Sequence, residues 1–179
     1  MVARESFFII KGVRKKMFNI FKKKEKEIDE KLYSPVSGEM ISIEDVPDKV
    51  FNSKMMGDGV GFKYEGAEVV APCDGTLTMI ANTKHAFGIT MENGAEVLIH
   101  IGLDTVEFQG EGFEILTPQG SKVKKGTPII RIDHDFMKEK GVDLTTPLVI
   151  TNTASYDITP LKEIGKVTVG DAIFELKQK

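Results

Sequence analysis

The sequence predicts an all-β fold: an antiparallel β-sandwich of two similar halves with at most short helices. Three observations carry that reading. Turn signals recur about every ten residues from Tyr33 onward, the spacing of strands joined by tight connections. Seventeen glycines, seven prolines and many Val, Ile and Thr favour short strands and turns over long helices. Two motifs also recur. Pro35-Val36-Ser37-Gly38 is echoed by Pro72-Cys73-Asp74-Gly75, and Lys122-Val123-Lys124-Lys125-Gly126 with Ile129 is echoed by Lys166-Val167-Thr168-Val169-Gly170 with Ile173. In the second pair the glycine is expected at the positive-φ position of a hairpin.

The elements follow in order. Glu39–Ile43 alternates in polarity and reads as the first strand of the body. Glu68–Val70 runs into the second Pro-x-x-Gly turn, and Thr76–Ile80 leaves it. Glu96–Ile101 is strongly apolar. Pro128–Ile132 follows the Lys-Lys-Gly turn, and Leu148–Thr151 and Ala172–Leu176 complete the set. Phe136–Lys140 is the best candidate for a short helix. Cys73, inside a turn and with no visible base, reads as structural.

The 179 residues contain 24 Lys+Arg against 27 Asp+Glu, 41% apolar residues and one cysteine. That suits one domain with a real core. It excludes wholesale disorder, an internal disulfide and a cysteine-based zinc cage. The net charge of −3 hides an asymmetry. Residues 1–31 hold ten basic and five acidic side chains, while residues 32–179 hold 14 basic and 22 acidic ones. We therefore expect a basic tail over 1–31 and an acidic domain over 32–179. An acidic domain meets nucleic-acid phosphates with the wrong sign, so nucleic acid is not an expected partner. No apolar run reaches the roughly 20 residues that span a bilayer. Phe7-Phe8-Ile9-Ile10 is too short for a secretory core of about 7–15 residues, and the expected location is the cytoplasm.

Within the tail, Met17-Phe18-Asn19-Ile20-Phe21-Lys22-Lys23-Lys24 places Phe18 and Phe21 on one helix face beside lysines. Such a patch can make weak contact with an anionic membrane surface; a solvated tail is the competing reading. Codons for Lys11-Gly12-Val13 can spell a purine-rich ribosome-binding sequence just before Met17, so residues 1–16 would be a translated leader.

The histidines are the most informative polar residues. In a strand, Val97, Ile99 and Ile101 share one face, and Leu98 and His100 share the other. His85 lies in a turn region between candidate strands, where an antiparallel neighbour could bring it beside His100. Two such imidazoles could bind zinc, act as base and acid, or serve as nucleophile and charge stabiliser. His100-x-x-x-Asp104 also matches half of the zinc site of lysostaphin-type endopeptidases. The later His-x-His of those enzymes is missing, since His134 is the only later histidine. Lys124-Lys125-Gly126 lacks the context of a lipoyl or biotin carrier lysine.

Longer motifs then occur in one order: Ile43-Glu44-Asp45-Val46-Pro47-Asp48-x-Val50-Phe51, Met56-Gly57-Asp58-Gly59-Val60, His85-Ala86-Phe87, and His100-x-Gly102-x-Asp104-Thr105-Val106-x-x-x-Gly110-Glu111-Gly112-Phe113. From about Tyr33 to Lys177 the chain resembles the glucose-family IIA component of the bacterial phosphoenolpyruvate-dependent sugar phosphotransferase system. The resemblance implies an antiparallel barrel-sandwich with a duplicated hybrid motif. It makes His100 the phosphorylated histidine, His85 its support in transfer, and Thr83 the residue that orients His85. It places Phe51, Met56 and Phe87 in an apolar collar, and Asp48 and Asp104 on an acidic rim. Ala81 departs from the pattern, standing where a well-known member has phenylalanine.

The same resemblance implies a phosphotransferase component that needs no resident cofactor, with zinc held by His85 and His100 at a partner interface only. The implied donor is the histidine-containing carrier HPr, and the acceptor is a cysteine on the IIB domain of a sugar permease. A second implication is regulation, in which the unphosphorylated form binds and inhibits permeases or metabolic enzymes such as kinases. Deletion of residues 1–31 should leave phosphorylation by HPr intact and reduce sedimentation with anionic vesicles at low salt. Each basic residue near such a surface contributes about 1 kcal/mol, which salt screens. Equal sedimentation without the tail would remove the membrane contact.

Overall fold

Short apolar runs separated by turns give fourteen strands among residues 27–179, the part described by the computed structural model. They are β1 (Lys31–Tyr33), β2 (Gly38–Ser42), β3 (Asp58–Tyr64), β4 (Glu68–Val70), β5 (Gly75–Ile80), β6 (Ala86–Met91) and β7 (Glu96–His100). There follow β8 (Phe113–Ile115), β9 (Lys122–Val123), β10 (Pro128–Ile132), β11 (Thr146–Ile150), β12 (Tyr156–Pro160), β13 (Gly165–Val167) and β14 (Ala172–Gln178). Two short α-helices interrupt them, α1 (Lys49–Asn52) and α2 (His134–Glu139). The second begins two residues ahead of the sequence expectation. The Asp133 carboxylate accepts the Phe136 N–H at 3.0 Å and so caps the helix earlier. Among the described residues, no helix is long and apolar enough to cross a membrane.

The strands form one eight-stranded sheet, in the order β13-β2-β3-β11-β7-β6-β5-β9, and two three-stranded sheets, β1-β14-β12 and β4-β10-β8. Their inner faces meet in one buried cluster that includes Leu32 and Leu176, Val69 and Ile130, and Phe62, Ile99 and Leu148. This is the antiparallel sandwich that the sequence predicts. Every residue of β11 is buried because both faces are covered. Leu148 and Ile150 enter the main cluster, whereas Val149 joins a second one with Ile41, Ile43, Val46 and Phe51. That second cluster lies on the opposite face of the large sheet and forms the bed of the site described below.

The repeated motifs correspond to a repeated hydrogen-bond pattern. Ser34 donates its N–H to Asp171 O at 2.8 Å and accepts from Gly170 N–H at 2.9 Å. Ala71 donates to Thr127 O at 2.8 Å and accepts from Gly126 N–H at 2.8 Å. The two Pro-x-x-Gly turns also answer each other: Tyr33 N–H donates to Pro72 O and Val70 N–H to Pro35 O. Each turn thus satisfies backbone groups of the opposite half, as burial requires.

Residues 1–26 lie outside the described residues, and with them the expected leader and the Phe18–Phe21 patch. The chain is tied to the body before residue 32. Lys31 pairs with Glu175 in β1–β14, Leu176 N–H donates to Glu30 O, and Asp29 bridges Lys125 at 3.0 Å and the Tyr33 hydroxyl at 2.9 Å. Removing residues 1–31 would thus take Asp29, Glu30 and Lys31 out of the body, so the deletion that tests the tail alone stops before Asp29. Leu148 is fully buried in the centre of the large sheet. Leu148→Ala should lower stability by about 2–5 kcal/mol, read as an earlier urea midpoint. A cost near zero would place the core elsewhere.

Candidate functional site

The site is built by the pairing of β6 with β7. Ala86 stands opposite His100, and the Ile101 N–H donates to the His85 carbonyl at 2.7 Å. His85 ends the β5–β6 turn, which closes with Lys84 N–H on Ala81 O and Ala81 N–H on Ala86 O. The two imidazoles meet edge to face, with ring centroids 4.7 Å apart. Residues directly opposite on paired strands share a face. On the His100 face, β6 therefore carries Ala86 and, opposite Leu98, Gly88. The space over Gly88 is taken by Met79 of β5, whose Cβ would lie 3.6 Å from a Cβ placed at Gly88.

Each ring is held through its Nδ1. His100 Nδ1 lies 2.8 Å from Gly102 O. A carbonyl only accepts, so Nδ1 carries the proton and, in the neutral ring, Nε2 presents its lone pair. His85 Nδ1 lies 2.6 Å from Thr83 Oγ1. If the hydroxyl donates, Nε2 of His85 carries the ring proton. The pair can then offer one nucleophilic nitrogen and one donor side by side.

Burial holds both imidazoles below the ordinary histidine value of 6.5. At His85 the neighbouring His100 adds to the effect. At His100 burial is opposed by the Gly102 hydrogen bond and by the charges of Asp48 and Asp104. Asp48 is itself the cap of α1, its carboxylate accepting from Val50 N–H at 2.8 Å. The cap sets the helix so that the Phe51 ring lies 5.1 Å from the His100 ring. Asp104 follows Gly102 in a left-handed conformation with φ 58°. Asp48, Asp104, Phe51, Thr83, His85 and His100 are thus gathered around one place.

One expected collar residue does not belong there. Phe87 is 1% exposed and packs in the main core. It pairs with Ile99, and that pair faces away from His100. Adjacency to His85 in sequence placed it on the wrong side of the strand. Met56 is 40% exposed, in the turn between α1 and β3. Val50 and Val106, each next to a carboxylate-bearing segment of the site, are also exposed apolar residues. Leu98 and Leu103 pack on the second cluster. Strand alternation gave Leu98, but nothing local in the sequence marked Leu103.

Zinc would find two imidazole nitrogens here. Both Nδ1 atoms are engaged, so each ring could offer only Nε2, which at His85 requires the tautomer with Nδ1–H donating to Thr83 Oγ1. Among the described residues no group of three or more His, Cys, Asp or Glu could hold a metal. Two imidazoles alone fall short of the four ligands of a tetrahedral zinc site.

Comparison with known proteins adds one family model, two relatives and one solved structure. A family model described as phosphoenolpyruvate-dependent sugar phosphotransferase system, EIIA 1, matches residues 30–156. The glucose-specific EIIA component of Staphylococcus epidermidis is 41% identical over 157 residues, covering 88% of this chain and 93% of that protein. The glucoside-specific EIICBA component of Staphylococcus carnosus is 46% identical over 142 residues, 79% of this chain and 20% of that protein. Relatives of this multi-part kind are matched over about a fifth to a quarter of their length. Among solved structures, the glucose permease IIA from Mycoplasma capricolum superposes with a TM-score of 0.75 at 34% identity, covering 80% of this chain and 93% of that one.

The lowered histidine values carry a prediction. A histidine depressed below its unfolded value contributes stability that is fully present above pH 6.5 and lost as the pH falls through the folded value, because the unfolded state then binds more protons. NMR titration should find both ring midpoints below 6.5. The stability lost on acidification below 6.5 should be smaller in His85→Gln. A midpoint above 6.5 for His100 would mean that the carboxylates outweigh burial.

Proposed function

The chain belongs to the EIIA 1 family of the phosphoenolpyruvate-dependent sugar phosphotransferase system, and from that membership we propose that it carries the phosphoryl group on His100 Nε2. It is a phosphotransferase component of sugar uptake with a phosphocarrier role. The observation that carries the assignment to His100 is its Nδ1 bond to Gly102 O, with the His85 ring 4.7 Å away.

In the proposed reaction the donor is phospho-HPr. The His100 Nε2 lone pair attacks phosphorus, the donor's P–N bond breaks, and its electron pair returns to the HPr imidazole. The phosphorylated His100 ring keeps its Nδ1 proton and becomes cationic. The Gly102 carbonyl, Asp48 and Asp104 then stabilise it. His85, oriented by Thr83, donates from Nε2 to the phosphoryl oxygens, where the charge of the transferring group accumulates. In the second step a cysteine thiolate of a IIB domain attacks, a P–S bond forms and the P–N bond to His100 breaks. The fused EIICBA relative supports a partner of the IIB kind.

Exposed Val50, Met56 and Val106 would meet the partners and exclude water from the labile P–N bond. Asp48 and Asp104 suit a basic partner surface. A zinc ion would be held by His85 and His100 only where a partner completes its shell, and would supply a bridge rather than chemistry. With HPr as donor, the proposed reaction would belong in the cytoplasm.

Two variants test the assignment. His100→Ala should take no phosphate from phosphoenolpyruvate, enzyme I and HPr; labelling at another histidine would overturn the site. His85→Gln should still accept phosphate but pass it to the IIB cysteine about 10²-fold more slowly, the cost of a weakened charge-stabilising donor. Unchanged onward transfer would remove His85 from the mechanism.

A further inference from the structure

We propose that Thr105 and Thr146 are positioning residues for His100, their buried hydroxyls clamping the Gly102 turn that decides which imidazole nitrogen is free. The consequence for transfer rests on the phosphocarrier reading, but the clamp itself does not.

The His100 ring is only as well oriented as the carbonyl it binds. Two peptide planes make up the Gly102 turn. The one carrying Gly102 O is held on its other side by Leu103 N–H, which donates to Asp143 O at 2.8 Å. The preceding plane is held at both ends by side chains. Thr105 Oγ1 donates to Ile101 O at 2.6 Å, and Gly102 N–H donates to Thr146 Oγ1 at 3.2 Å. Thr146 Oγ1 also donates to Leu144 O at 2.8 Å, with the Tyr64 hydroxyl 3.3 Å away.

Both threonines are 0% exposed. A valine at either position would keep the shape but take from Ile101 O or Gly102 N–H the partner it has in this buried turn. The backbone does not favour this turn unaided. Gly102 has φ 72° and Asp104 φ 58°, both left-handed. A Cβ at Gly102 would come within 2.7 Å of Thr105 Cγ2. Glycine here lets Thr105 fold back over the turn. Thr146 reaches Gly102 because β11 pairs with β7 in a register that sets Leu148 against Ile99. Continued by two residues, that register brings Thr146 to Ile101.

The test uses the full chain. Thr105→Val and Thr146→Val remove only the hydroxyls; Thr105→Ser and Thr146→Ser keep them. Nitrogen-15 NMR of the histidine rings should find His100 as the Nδ1–H tautomer in the unmodified protein. Each valine variant should shift His100 toward Nε2–H and slow phosphoryl acceptance from HPr about tenfold, the scale of one lost hydrogen bond. The serine variants should stay within about twofold of the unmodified rate. Valine variants with unchanged tautomer and rate, or serine variants impaired as much as valine, would overturn the proposal.

If a valine variant does not fold, the unmodified chain decides. A Gly102 amide that exchanges as slowly as the core, with His100 as Nδ1–H, supports the clamp. Exchange as fast as in exposed loops, or His100 mainly as Nε2–H, removes it. Failure of the phosphocarrier reading would look different: the unmodified protein would be labelled away from His100 while the NMR results stood.

Discussion

The antiparallel register between β6 and β7 is the constraint from which the rest of the site follows. Ala86 opposite His100 turns Leu98 and His100 toward the second cluster and Val97 and Ile99 toward the main core. A slip of one residue would send His100 into the core and Ile99 to the surface. The penalty for that slip is large because β7 is flanked on its other edge by β11, with every β11 residue buried. The same register delivers His85, since the Ile101 N–H needs the His85 carbonyl as its partner. The distance between the two rings is therefore set by backbone pairing more than by any attraction between them.

Around that frame the site balances two opposed requirements. A nucleophilic imidazole must be neutral before transfer, and burial provides this at both rings. After transfer in the proposed reaction, the ring is cationic and buried, which burial alone would penalise. The Gly102 carbonyl and the charges of Asp48 and Asp104 act in the opposite direction at His100. His85 has no such carboxylate effect and is suited to remaining neutral. Two residues of one type thus differ in role because of what lies behind each ring.

Much of this was legible in the chain itself. Period-two alternation in Glu96–Ile101 separated His100 from the core residues, and the repeated Pro-x-x-Gly turns announced the two similar halves. Phe87 shows where such reading fails. It follows His85 by two residues in a strand with Ala86, Phe87, Gly88 and Ile89 all buried, so polarity did not distinguish the two faces. Only its pairing with Ile99 reveals the direction it takes. Thr146 was invisible for a related reason. Its contact with Gly102 spans 44 residues and depends on β11 register, which no local pattern encodes. Asp48 was legible as acidic, but its role as the cap that aims Phe51 required the helix.

The pairing of β1 with β14 has a temporal consequence. Lys31 and Leu32 find their partners in Glu175 and Phe174, almost the whole length of the described chain away. A ribosome makes β1 before β14, so β1 waits while all the strands between them are made, with an unpaired edge and a bare Leu32. Closure of this sheet is the least local step in the fold, and its entropy must be met before the contact rewards it. During that wait β1 is open to pairing with another chain, and the charges of Lys31 and of Glu27, Asp29 and Glu30 beside it discourage edge-to-edge association.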